Sequence, residues 1–273
     1  MIDAQKESSA SKSHLVVQSN TLVREFFNGM TFQQLKLFYY LIGSISKDDD
    51  DFYPTDVDYA VLHDITCGHQ GSKGGVRYIS NLLHEFCETR TANFKSHKAK
   101  PDENKPEMRS WLRLIRITRH CGWYSACVQF EDWLFPHLIH QSRFFTAFQY
   151  ADVAELSSLN ALKLYPLLCS YKSQGSKEFK FPELKALLGV TESFPTYRRF
   201  SEKVLKPILE DINANTSLTV TTELMRDEHD KRKTTGVRFI MATSDKTVPG
   251  TAPKVKISLE RNSDTIVRVI RAA

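Results

Sequence analysis

Long apolar runs are missing from this chain of 273 residues. Nothing approaches the roughly 20 consecutive apolar residues that a membrane-spanning helix needs. The amino terminus, Met1-Ile-Asp-Ala-Gln-Lys-Glu-Ser-Ser-Ala10, has no apolar signal core. Neither secretion nor membrane insertion is expected. Cysteines are also few: five of them, Cys67, Cys87, Cys121, Cys127 and Cys169, an odd and scattered set mostly in apolar surroundings. That usage fits reduced thiols, not a disulfide framework, and a cytoplasmic protein. A strong excess of one charge is missing too. With a net charge of +5 and a pI near 8.8, total charge does not by itself select a nucleic-acid partner. Where the cations sit has to decide.

Catalytic signatures are equally scarce. Gly68-His-Gln-Gly-Ser-Lys-Gly74 has glycines and a lysine but not the Walker A spacing, and no apolar strand precedes it. His63, Cys67 and His69 have no second ligand pair with zinc-finger spacing after them. His137 and His140 share a helical face without a neighbouring acid, and Lys47-Asp-Asp-Asp-Asp51 lacks the alternation of a calcium loop. The run reads as a solvated, helix-terminating loop. The paired histidines and nearby tyrosine of a rolling-circle nickase are not visible either. No catalytic residue, cofactor or metal is assigned, and an enzyme is not expected.

What is present is a soluble globular balance, 41% hydrophobic and 25% charged, and one stretch with two opposed faces. From Tyr197 to Asn213, Tyr197, Phe200, Val204, Ile208 and Ile212 line up at helical period, while Arg199, Lys203 and Lys206 fall together outside with Arg198 flanking them. Pro207 interrupts this helix, where an interior proline costs about 3 kcal/mol. A kink near Lys206 is expected, with Pro207 opening a continuing turn.

Around that stretch the chain repeats a plan. His14 to Asn20 reads as extended, with Ser19 or Asn20 capping a helix that runs to Gly29. Thr31 caps the next, striped by Leu35, Phe38, Ile42 and Ile45. A short helix is expected over Val57, Ala60, Val61 and Ile65. Another follows Gly75, with Val76, Ile79, Leu83 and Phe86 inside and Arg77, Asn81 and His84 outside. A polar loop from Thr91 to Arg109 leads to a hairpin, Trp111 to Thr118 and Tyr124 to Phe130, and a closing helix over Glu131 to Gln141.

From Leu156 the order starts again. Thr31-Phe-Gln-Gln-Leu-Lys-Leu lies over Ser158-Leu-Asn-Ala-Leu-Lys-Leu164, Tyr53-Pro54 over Phe181-Pro182, and Val76-Arg-Tyr-Ile-Ser80 over Tyr197-Arg-Arg-Phe-Ser201. The second hairpin alternates through Leu218, Val220, Thr222 and Leu224 and returns through Val237, Phe239 and Met241. The fold expected is α+β and mainly helical, two tandem winged-helix domains related by duplication. The divisions are a flexible 1–13, an N-terminal winged helix at 14–150, a C-terminal one at 151–245, and a loosely attached tail at 246–273 in which Val255 to Leu259 and Thr265 to Ile270 are possible strands without a place.

A helix in the major groove must offer donors to phosphates and base edges, and the forked guanidinium of Arg suits guanine best. Arg198, Arg199 and Lys203 take that role here, and Lys206 a phosphate contact. The alternative is an ordinary solvated face with Glu202 and Glu210 as salt-bridge partners. On the sister helix the analogous set is Lys73, Arg77 and Asn81, and the second wing tip offers Lys231, Arg232 and Lys233, with Lys95, Lys98 and Lys100 in the first wing loop.

These pieces resemble the iteron-binding plasmid replication initiators, the Rep proteins with two winged-helix domains. The resemblance runs from Leu15 to Met241. It rests on Val16-Val-Gln-Ser-Asn20, on Thr31 to Ile42, on Leu164-Tyr165 with Phe179 to Gly189, and above all on Tyr197-Arg-Arg-Phe200 through Val204-Leu205-Lys-Pro207 to Asn213, internal proline included. It implies an initiator that works by binding double-stranded DNA, with the C-terminal winged helix making the principal contacts at direct repeats of the origin. The N-terminal one contacts DNA in the monomer and mediates a homodimer. The dimer represses the initiator's own gene at an inverted repeat, which contributes to copy control. Host initiator and helicase-loading factors, and chaperones, are the implied partners. A dedicated winged-helix transcriptional repressor shares all this chemistry and stays open.

Overall fold

The computed structural model describes residues 14–24, 29–46, 48–67, 75–91, 109–120, 122–227, 234–243, 255–262 and 265–272. The first part of the chain runs β1 (Leu15–Ser19), α1 (Asn20–Arg24), α2 (Phe32–Gly43), β2 (Thr55–Asp58), α3 (Tyr59–Cys67), α4 (Val76–Glu88), β3 (Arg90–Thr91), β4 (Arg109–Ser110), β5 (Leu112–His120) and β6 (Trp123–Phe130). A 3-10 turn then leads to α5 (Phe135–Leu138), β7 (Phe145–Gln149) and α6 (Tyr150–Ala154). The second part runs α7 (Leu159–Ser170), β8 (Ser176–Lys180), α8 (Phe181–Leu187), α9 (Tyr197–Phe200), the π-helical Ser201–Leu205, α10 (Lys206–Asn215), β9 (Leu218–Arg226) and β10 (Thr234–Thr243). A last hairpin, β11 (Val255–Asn262) and β12 (Thr265–Ala272), closes the chain. No helix among the described residues is long and apolar enough to cross a membrane.

The duplication holds at the level of topology. In one sheet β2 pairs antiparallel with β6, and β6 with β5; in the other β8 pairs antiparallel with β10, and β10 with β9. Each half is therefore helix, strand, two helices and a hairpin whose returning strand takes up the earlier strand, which is a winged helix. The leading helices start the same way. Thr31 accepts from the backbone N–H of Gln34 while the Gln34 side chain accepts from the N–H of Thr31, and Ser158 accepts from the N–H of Ala161. Leu35 and Leu162, with Leu37 and Leu164, are buried at matching positions.

One step of the sequence alignment is corrected. Tyr53-Pro54 precedes β2, whereas Phe181-Pro182 opens α8, so the structural counterpart of Phe181 is Tyr59. The shared aromatic-proline pair was a local likeness. Val57 likewise lies in β2 and not in a helix, because the segment's pairing with β6 outweighs its helical spacing.

The leading helices α2 and α7 meet across the middle of the molecule. The Tyr39 hydroxyl donates to the Leu162 carbonyl at 3.2 Å, and the Lys36 ammonium to the Ala154 carbonyl at 2.5 Å. Tyr39, Phe148 and Tyr165 stack edge to face at 5.5 and 5.7 Å, so one apolar core runs through both halves.

Three further expectations change. The segment 131–141 is only a 3-10 turn and one helical turn ending at Leu138. The acidic loop is not uniformly solvated: Asp48, Asp50 and Asp51 are exposed, but Asp49 is buried against Arg268. The tail is not loosely attached. Its strand β12 pairs parallel with β2 and extends the N-terminal sheet to β11-β12-β2-β6-β5, burying Val267, Val269 and Ile270.

Candidate nucleic-acid interface

The third helix of each winged helix carries the outward cations. In the second half Phe200 sits fully buried against Phe181 at 5.4 Å and Phe194 at 6.4 Å, and Val204, Leu205, Ile208 and Ile212 follow it into the core. Phe200, Val204, Ile208 and Ile212 repeat every four residues, which overshoots an α-helical turn by about 40° per step. A wider turn takes up the difference: the N–H of Lys206 reaches the carbonyl of Ser201, five residues back. The same turn settles the proline. Pro207 falls in the first turn of α10, where its missing N–H has no helical partner to lose and its ring does not meet a regular preceding turn. At Lys206, where the sequence predicts a kink, the helix passes from π to α geometry.

Outside, Arg198, Arg199, Lys203 and Lys206 are all exposed. They are not equivalent. Arg198 pairs with Glu202 at 3.1 Å and Lys206 with Glu210 at 3.8 Å, each one helical turn away. Among the described residues neither Arg199 nor Lys203 has an ion pair. Exposed pairs of this kind contribute little and are readily exchanged for a phosphate.

In the first half α4 packs through Ile79, Leu82, Leu83 and Phe86 and turns Arg77, Asn81 and His84 to solvent. Val76, expected inside, is 39% exposed because it is the first residue of the helix, beyond the edge of the core. Tyr78 is exposed beside Arg77 and was not singled out from sequence. Its position next to Arg77 and three residues before Asn81 was the available signal. Lys73 lies outside the described residues.

A family model described as Initiator Replication protein, WH1, matches residues 15–169, and one described as Initiator Rep protein, WH2, matches residues 180–241. The chain belongs to the replication initiator family. Among solved structures it is similar to one described as the crystal structure of Pi initiator protein in complex with iteron DNA. The TM-score is 0.61 at 14% identity, over 87% of this chain and 100% of that one.

Within the initiator fold the wings differ. The second wing's Arg238 is exposed but held between two carboxylates, Glu178 at 2.5 Å and Glu223 at 3.4 Å, and the Glu178 bond raises its pKa further. Both carboxylates compete with a phosphate for this arginine. The wing-tip residues Lys231, Arg232 and Lys233 lie outside the described residues, as do Lys95, Lys98 and Lys100. On the initiator's first wing, β5 brings three arginines that sequence reading passed over. Arg113 pairs with Asp132 at 3.2 Å, Arg119 lies 5.8 Å over the Tyr124 ring, and Arg116 is exposed without an ion pair among the described residues. Two lysines of the leading helices point away from a contact role: burial lowers the pKa of half-buried Lys36, whose ammonium is tied to a carbonyl, and of buried Lys163 at the matching position of α7. Among the described residues no three His, Cys, Asp or Glu side chains gather as a metal site.

Proposed function

We propose that this initiator binds the direct repeats of a plasmid origin as a monomer, with α4 and the α9–α10 helix in successive major grooves, and so begins replication. It acts by binding and not by catalysis. The observation that supports the reading is the pair Arg199 and Lys203, exposed and without ion pairs among the described residues, on the third helix of the WH2 domain. Arg199 with Arg198 reads bases, Lys203 supports them, and Lys206 holds a phosphate. Arg77 and Asn81, with Lys73 ahead of them, serve the first domain in the same way, and Lys231, Arg232 and Lys233 follow the backbone beside the second. A homodimer in equilibrium with the monomer represses the initiator's own promoter at an inverted repeat. Host initiator, helicase-loading factors and chaperones act with it in the cytoplasm.

Footprinting of the purified protein on DNA flanking its own gene, at fixed salt and with the mass of the complex measured, tests this. Monomers protecting a series of direct repeats are expected. Occupancy of one inverted repeat by a dimer, with no direct repeat protected at any concentration, identifies a dedicated repressor instead.

A further inference from the structure

When the third helices of the two domains are laid over one another, Ile79 matches Phe200, both buried, Arg77 matches Arg198, both exposed, and Tyr78 matches Arg199. The second domain thus carries a guanidinium where the first carries an aromatic ring. Tyr78 is 40% exposed and lies outside the apolar core. Val76, at the place of Tyr197, is outside it too. In the second domain Tyr197 packs edge to face on Phe181 at 5.8 Å. In the first, the counterpart of Phe181 is Tyr59, whose ring stacks instead on Tyr124 of β6 at 5.7 Å and whose hydroxyl shares a hydrogen bond with Ser80 at 2.8 Å. Val76 is left without the neighbour that its position has in the second domain.

Two apolar side chains therefore flank Arg77 in the first turn of α4, each about 100° around the helix from it and about 1.5 Å along the axis. The start of the helix is bare. Among the described residues nothing lies within 4 Å of where a Cβ of Gly75 would be, and its φ of −72° is open to any residue, so neither packing nor backbone geometry asks for glycine there. A bare N-cap lets the first turn come close to a partner. Apolar surface left in water at this point gains nothing for the fold. In the major groove thymine offers an apolar group, its C5 methyl, which seats against side chains of this kind, whereas the forked guanidinium at the Arg199 position fits guanine.

We infer that the first domain selects thymine, with Val76 and Tyr78 closing on its C5 methyl group beside the contact made by Arg77. This rests on the placement of α4 in a major groove and adds which base that helix selects. The two domains then read unlike bases from matching positions: the first through an apolar contact with a methyl group, the second through the donors of Arg199.

The test replaces the thymidines of a protected repeat one at a time by deoxyuridine, which lacks only the methyl group, and measures the affinity of the full-length protein at fixed salt. A loss of about fourfold, the worth of one buried methyl group, is expected at one position or at two adjacent ones. Val76→Ala/Tyr78→Ala binds the unsubstituted repeat at least about fourfold less tightly and is indifferent to the same replacement, a coupling that a general loss of DNA affinity would not produce. Both residues lie outside the core, and an unchanged urea midpoint checks that the variant is folded. Arg77→Ala on the same repeat separates two failures. If Arg77→Ala weakens binding but no deoxyuridine does, the thymine assignment is overturned while α4 keeps its place. A double variant as sensitive to deoxyuridine as the parent protein overturns the assignment as well. If neither Arg77→Ala nor any deoxyuridine has an effect, α4 does not lie in a major groove and both readings fall.

Discussion

Arg268 donates to the carboxylate of Asp49 across 219 residues of chain, and the two side chains are only 5% and 3% exposed. The Arg268 guanidinium also stands 5.9 Å over the Tyr53 ring, while its backbone N–H bonds to the Pro54 carbonyl at 2.9 Å. Beside it Arg271 pairs with Asp58 at 3.1 Å and Asp56 at 3.6 Å. Three carboxylates of the first domain thus hold the last strand in place.

Asp49→Ala strands a buried cation, because desolvation already works against the Arg268 charge and the carboxylate offsets it. The expected cost is about 3–5 kcal/mol by urea denaturation. Asp49→Leu with Arg268→Met recovers most of it, since neither charge is then left alone. A cost below about 1 kcal/mol for the single change would mean that the pair is solvated.

On DNA, Arg199→Ala lowers affinity for the specific repeat by about 1–3 kcal/mol and relaxes base preference. Lys206→Ala weakens all sequences alike and reduces the salt slope by about one. Competition binding on specific and random duplexes separates them. Equal losses on both duplexes from both variants remove Arg199 as a base reader.

Gly236 marks a backbone crossing. A Cβ there would collide with the carbonyl oxygen of Phe179 and come within 3.2 Å of the Lys180 Cα, at the register shift between Thr234 and Gly236. Gly236→Ala is expected to destabilise the second domain by about 1–3 kcal/mol, read as a lower urea midpoint. An unchanged midpoint rules out this close approach of β8 and β10.

Burial pushes the Cys127 thiol up to about 11, although Arg116 pulls the other way. An unfolded thiol titrates near 8.5. The folded state therefore keeps a proton that the unfolded state loses, and this contribution to stability is complete below about pH 8.5 and falls away as pH rises toward 11. Cys127→Ala should flatten the alkaline decline of unfolding free energy relative to the parent protein. Parallel pH curves for the two proteins would refute the burial-driven shift.

Much of the fold was legible because its signals are local. Thr31 and Ser158 announce their helices within four residues, and the stripe of Phe200, Val204, Ile208 and Ile212 declares both a buried face and, through its spacing of four, the wider turn that Pro207 accompanies. The outward positions of Arg199 and Lys203 follow from the same periodicity. Their freedom from Glu202 and Glu210 does not, since either cation in reach could have paired. What stayed hidden is non-local. β2 is four residues long and resembles the start of the helix that follows it. β12 finds its place through three pairing positions with a strand more than 200 residues earlier, and nothing within residues 255–272 names that partner.

That return of the chain has a consequence for biosynthesis. Domains ordinarily fold in the order in which they leave the ribosome. Here the described strands of the second winged helix all lie before residue 244, while the first lacks β12, and with it the counter-ion of Asp49, until residues 265–272 have been translated. The domain that is begun first is completed after the second, so a chain cut after Thr243 keeps the described strands of the WH2 domain but leaves the WH1 sheet without β12.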